Sequence, residues 1–247
     1  ARSGIDGVWL FPYFKPCYGT SSVEVHKFFW WQPIPDKEQL LQRFAARIAG
    51  KKAAPNLRGA WKYVSAAIPW SPEVCLPHYV GPYYLGPAHP LCADPEAALP
   101  EIFYANFLFH REISYAEALK RKPAFITSPT GDVAVFGRFY RQMEDILTKA
   151  VTEIKTAEGL VSQRHRLTFD GEALPIRWFY HTVRTQANFY ESCQLRDQLL
   201  ALAAKDFRTA EETTLAQDHY NKWHQILLDE KQNAAESIPV IKADSRL

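Results

Sequence analysis

Apolar residues recur with a helical period along three long stretches of this sequence. Val133, Phe136, Tyr140, Met143, Leu147, Ala150 and Ile154 fall on one face of a helix predicted from about Asp132 into the 160s. Two further long helices are predicted over Leu174–Ala204 and Ala210–Ser237. The connections between them are short and polar, which favours antiparallel neighbours and hence a helical bundle.

The first half of the chain is more broken. Gly7–Phe14 is a short aromatic run bounded by glycine and containing Pro12, and it reads as a buried strand. A second strand is predicted at His26–Trp31. Asp36, with Gln39 three positions on, then signals a helix start, Leu40, Leu41, Phe44 and Ile48 follow at helical spacing, and Gly50 stops the run. Pro55 opens another helix, with Leu57, Trp61, Val64 and Ile68 on one face. Short helical segments are expected around Pro100–Phe109 and after Ser114, where Ser114 and Glu117 have the spacing of a capping box.

Between these helices the periodicity is lost. Between Pro69 and Pro100 prolines recur at Pro72, Pro77, Pro82, Pro87, Pro90 and Pro95, and Gly-Pro pairs stand at 81–82 and 86–87. A long proline-stiffened loop is expected to be an ordered surface, and such loops carry function more often than short ones. The fold expected is therefore mainly α. A helical bundle of three long helices is joined by shorter helices, one or two short N-terminal strands and the long proline-rich loop. Three segments follow: a strand-containing part at 1–35, short helices with the 69–100 loop at 36–129, and the bundle at 130–247.

Composition narrows the function. The chain has 247 residues, of which 14% are aromatic and 17 are proline. With 29 basic and 27 acidic side chains the net charge is +2, which supplies no electrostatic footprint for nucleic acid or an anionic membrane. No run reaches the roughly 20 apolar residues of a membrane-spanning helix. Glycine-rich phosphate loops, nucleophile elbows and the His-Glu-x-x-His pattern are missing from the sequence. Neither a catalytic pair nor a cofactor is predicted. The chain opens at Ala1 without methionine and enters an apolar run at once, so it is expected to be a fragment or a processed chain.

Two readings compete for the loop. Cys75, His78, His89 and Cys92 form a Cys-x-x-His and a His-x-x-Cys, residue types and pair spacings that suit tetrahedral zinc. Against zinc, Pro77 and Pro90 stiffen both pairs, the ten-residue gap is not a common finger pattern, and a large helical protein needs no metal to fold. The rings give the other reading. Trp70, Tyr79, Tyr83 and Tyr84, with His78, His89 and Asp94, combine flat apolar faces with polar tips, an inventory that suits sugars. Packing of the loop onto the bundle accounts for the same rings equally well. Trp30 and Trp31 are adjacent in the predicted strand and point to opposite faces, so at most one of them lines a site. The trio His110, Arg111 and Glu112 reads as a surface ion pair. His181, Arg184, Asn188 and Glu191 share one face of the second long helix; a solvated stripe is expected there, the alternative being a binding surface between the bundle and a neighbouring domain.

Several stretches resemble the C-terminal part of large bacterial glycoside-hydrolase-like proteins, in which a (β/α)8 barrel is followed by helices. They are Ser3–Phe11, Phe29–Pro33 leading into Leu41–Gly50, Ala60–Ala67, Tyr84–Pro90, Asp229–Asn233 and Ala243–Leu247. The resemblance implies an upstream barrel, with catalytic carboxylates on its strand ends and outside this chain. It also implies a carbohydrate partner, contacted here by Trp30 or Trp31 and the Trp70–Asp94 loop. The expectation from another class is a helical interaction or scaffold protein, whose aromatic loop packs on a protein partner or a second copy.

Overall fold

The computed structural model describes residues 21–28, 33, 35–71, 87, 91 and 132–243. Every regular element among them is helical: α1 (Ser21–Phe28), α2 (Lys37–Ala49), α3 (Ala54–Ala67), α4 (Asp132–Glu158), α5 (Arg166–Ala203) and α6 (Ala210–Ala243). Single 3-10 turns follow α3 at Ile68–Trp70 and precede α5 at Gln163–His165. The protein is mainly α, as its periodicity predicts. The expected strand at Gly7–Phe14, most of the 69–100 loop, the helices expected between Pro100 and Pro123, and His110–Glu112 lie outside the described residues.

The local signals act where the sequence places them. The Asp36 carboxylate accepts a hydrogen bond from the Gln39 amide at 2.8 Å and starts α2. Gly50 ends it at φ 81° and ψ 159°, a conformation open essentially to glycine alone. A Cβ at Gly50 would also lie 3.2 Å from Nδ1 of His165. Gly50→Ala should therefore cost about 2 kcal/mol of stability, read as a lower urea midpoint at unchanged m-value. The start of α6 is a reciprocal cap: Thr209 Oγ1 accepts from the Glu212 amide and Glu212 accepts from the Thr209 amide.

Three boundaries differ from the periodicity. His26–Phe28, expected in a strand, close α1 instead, while 29–32 lie outside the described residues. Tertiary contacts decide this. The Ser21 hydroxyl donates to Glu172 of α5 at 2.7 Å, Glu24 pairs with Arg47 of α2, and Phe28 meets Phe44 edge-on. The second long helix begins at Arg166 and continues through Pro175. Proline inside a helix costs about 3 kcal/mol, and burial of Phe169, Ala173 and Ile176 around it offsets that. Likewise α6 passes Pro239 to end at Ala243, with Ser237 and Val240 buried on either side.

Packing follows the apolar stripes. Tyr140, Met143, Leu147, Ala150 and Ile154 of α4 are all fully buried. The C-terminal half of α4 meets α2, α3 and the start of α5 around Ile48, Leu57, Ile154 and Phe169. Its other half meets α5 and the end of α3 around Ala67, Met143, Leu147 and Val183. Small residues let α3 and α4 approach closely: a Cβ at Gly59 would stand 2.9 Å from the Glu153 side chain. Helix α6 packs on α5 from the far side, antiparallel, and there the character of the interface changes.

Candidate functional site: a polar seam between helices

The face of α5 turned toward α6 carries His181, Thr185, Asn188 and Ser192, a 4, 3, 4 spacing that keeps them in one row. All four are buried. The facing row on α6 is Asp229, Glu230, Asn233, Glu236 and Ser237. Burial of so many polar groups is tolerable only if each finds a partner. They do so in two linked clusters and a separate pair, while the Ser237 hydroxyl donates to the Ala234 carbonyl of its own helix.

At the centre, Asn188 joins three helices. Its Oδ1 accepts from Arg141 Nη2 of α4 at 3.0 Å, and its Nδ2 donates to Asp229 at 2.8 Å and Glu230 at 2.9 Å. Arg141 also pairs with Glu191 at 2.6 Å and with Glu144. Beside it, Arg184 reaches Asp229, Glu236 at 3.2 Å and Glu144 at 3.7 Å. Toward the other end, the Thr185 hydroxyl donates to Glu230 at 2.6 Å and accepts from Asn233 Nδ2 at 2.8 Å. That amide nitrogen donates as well to the His181 carbonyl at 3.0 Å, so the Asn233 oxygen is the atom facing His181 Nδ1 at 2.7 Å. An amide oxygen only accepts; His181 therefore carries its proton on Nδ1. Farther along, Trp223 of α6 donates from Nε1 to the Ser192 hydroxyl at 2.8 Å.

The environments split the titrating groups. Burial pushes the Glu230 carboxyl up, opposed in part by the bonds from Thr185 and Asn188. Burial likewise raises Glu144, with Arg141 pulling it back. At Asp229 burial acts in the same direction, but the bonds from Arg184 and Asn188 win and hold it below the ordinary aspartate value. His181 is lowered by burial, against the smaller pull of its Asn233 bond, and the neutral imidazole is favoured.

Asp229 and Glu230 are thus neighbouring carboxyls driven apart in pKa, a combination found in acid–base pairs. Here both are occupied by Arg184, Asn188 and Thr185 within the helix interface. The seam's arrangement fixes helices in register rather than flanking a substrate. One-residue or one-turn slippage of α6 along α5 would separate every pair at once. Two open grooves border it. One, of about 720 Å³, lies between α5 and α6 beyond Glu191; the other, of about 590 Å³, lies among α4, α5 and α6 beside Tyr180, His181 and Glu236.

The stripe of His181, Arg184, Asn188 and Glu191 corrects the expectation of a solvated face, because His181 and Asn188 are buried against α6. Sequence reasoning passed over the complementary row on α6. Its signal was present in the matching spacing of Asp229, Asn233 and Glu236, all on one face of a helix otherwise read as a bundle member. Of the residues expected to touch ligand, Trp70 is described. It closes the 3-10 turn after α3, is 42% exposed, and its ring centroid lies 6.2 Å from that of Phe139 on α4. Trp30, Trp31, His78, Tyr79, Tyr83, Tyr84, His89 and Asp94 lie outside the described residues, as do Cys75 and Cys92 of the zinc alternative. Among the described residues no group of three or more His, Cys, Asp or Glu has the arrangement to hold a metal ion, and no helix is long and apolar enough to cross a membrane. No protein-family model, curated protein or solved structure matches this chain.

Proposed function

We propose that this chain is a helical part of a carbohydrate-active, glycoside-hydrolase-like protein, and that it contributes substrate contacts rather than the catalytic acid and base. The observation that carries the reading is the exposed aromatic pair of Trp70 and Phe139, with planes inclined at 56°. It stands where α3 gives way to the proline-rich stretch that holds the other candidate rings. An indole left partly open beside a second ring offers an apolar face for the C–H side of a sugar, while its N–H end is available for a hydroxyl. The test is titration of the full chain with soluble β-glucan, galactan and mannan oligosaccharides, followed by calorimetry. At least one should bind, and Trp70→Ala should weaken it about tenfold or more with little change in thermal midpoint, since the side chain is not core. Absence of binding by all three classes to the folded chain would sink the proposal.

A scaffold role is the second reading, and exposed apolar side chains favour it. Phe207 in the α5–α6 connection is 92% exposed, and Tyr220, Leu228 and Ile238 are exposed along α6. A concentration-dependent dimer in light scattering that Phe207→Ser and Ile238→Ser abolish would support that role.

A further inference from the structure

We infer that the larger groove between α5 and α6 is a binding site for a small polyhydroxylated carboxylate of the uronic-acid class, separate from the Trp70 surface. The cavity of about 720 Å³ is within the range of small-ligand sites and has room for a sugar ring with its water. Its chemistry comes from two helical faces. On α6, His219 and Lys222 stand three residues apart, so an imidazole and an ammonium border the same side of the groove. On α5, Gln194 and Gln198 stand four apart and present carboxamides, and Asn221 and Gln225 add two more from α6. Amides both donate and accept, which is what vicinal hydroxyls require. Leu195 and Ile226 supply an apolar strip for the ring's C–H face.

Charge selects the anion. The one carboxylate on the groove's lining is Glu191, and Arg141 already pairs with it at 2.6 Å. The field left at the groove is that of Lys222. The His219 ring borders the groove with its Nδ1 turned away from solvent. The neighbouring imidazole, His224, lies parallel to the Tyr220 ring with centroids 6.3 Å apart at the groove's edge.

Calorimetric or NMR titration of the full chain with D-glucuronate, D-glucose and acetate at equal ionic strength separates the carboxylate from the hydroxyls. D-glucuronate should bind at least tenfold more tightly than either of the others. A double variant, Lys222→Ala with Gln225→Ala, should weaken D-glucuronate tenfold or more with an unchanged thermal midpoint, because both side chains are exposed. Trp70→Ala should leave this binding intact, which distinguishes the site from the neutral-sugar contact proposed above. Binding of D-glucuronate no tighter than acetate or glucose, or equal binding by the wild type and the double variant, overturns the inference.

Discussion

Asn188→Leu is expected to lower stability by about 3–5 kcal/mol, the largest loss for any near-isosteric change in the seam. Leucine keeps the branched shape of asparagine and is the larger of the two, so no cavity accounts for the loss. Its cause is the set of groups left behind. Arg141 loses one acceptor, Asp229 loses the amide that helps hold it ionised, and Glu230 loses one of its donors, keeping Thr185 and Asn233. Each of these charges is then short of a bond where water has little access, since Asn188 itself is 1% exposed. Urea titration followed by far-UV circular dichroism measures the loss. A change below about 1 kcal/mol would mean that water or a rearranged Arg141 takes over all three bonds.

Arg184→Met is expected to cost about 3 kcal/mol near neutral pH, and the penalty should shrink on acidification. Arg184 is the shared cation of Asp229, Glu236 and Glu144. Methionine keeps part of the apolar stem but leaves those carboxylates facing one another. The pH dependence follows from Asp229. Its folded-state pKa is depressed, so the stability it contributes is present above the unfolded value and is lost as pH falls through the folded value. Without Arg184 only Asn188 and Arg141 still favour the ionised Asp229, so that contribution is smaller at neutral pH and there is less to lose below it. Glu144 acts in the same sense. Burial already raises it, and without Arg184 it rises further, so its protonation relieves repulsion at mildly acid pH. Wild type and variant should therefore converge in stability between neutrality and about pH 4, the range of ordinary carboxyl titration. A penalty independent of pH would assign the loss to packing of the Arg184 stem.

Much of the fold was readable because its signals are local. The seven-residue apolar stripe of α4 has a 3.6-residue period, and the five members from Tyr140 to Ile154 are fully buried. Asp36, Gln39, Pro55 and Gly50 mark helix ends through backbone hydrogen bonding and φ preference, which act within a few residues. Two of the three boundaries that misled carry proline. The second long helix is expected to start at Leu174, beside Pro175, but it begins at Arg166, because the residues around Pro175 bury enough apolar surface to carry the helix through it. His26–Phe28 read as strand by the aromatic run they enter, yet Phe28 is placed by Phe44, sixteen positions away. Propensity does not contain that contact.

The polar seam shows where sequence stops. Period alone put His181, Arg184, Asn188 and Glu191 on one face of α5, and Asp229, Asn233 and Glu236 on one face of α6. Whether such a face meets water or another helix depends on free energies summed over both partners. A charged row is stable when solvated, and it is also stable when a second row supplies a bond for each buried group. The sequence by itself determined the helices, their amphipathic faces and the antiparallel bundle, because these follow from spacing and short connections. Only the tertiary structure decided that α5 and α6 meet through hydrogen bonds and ion pairs, since that outcome depends on Asp229, Glu230 and Asn233 arriving opposite Arg184, Thr185 and His181 at bonding distance.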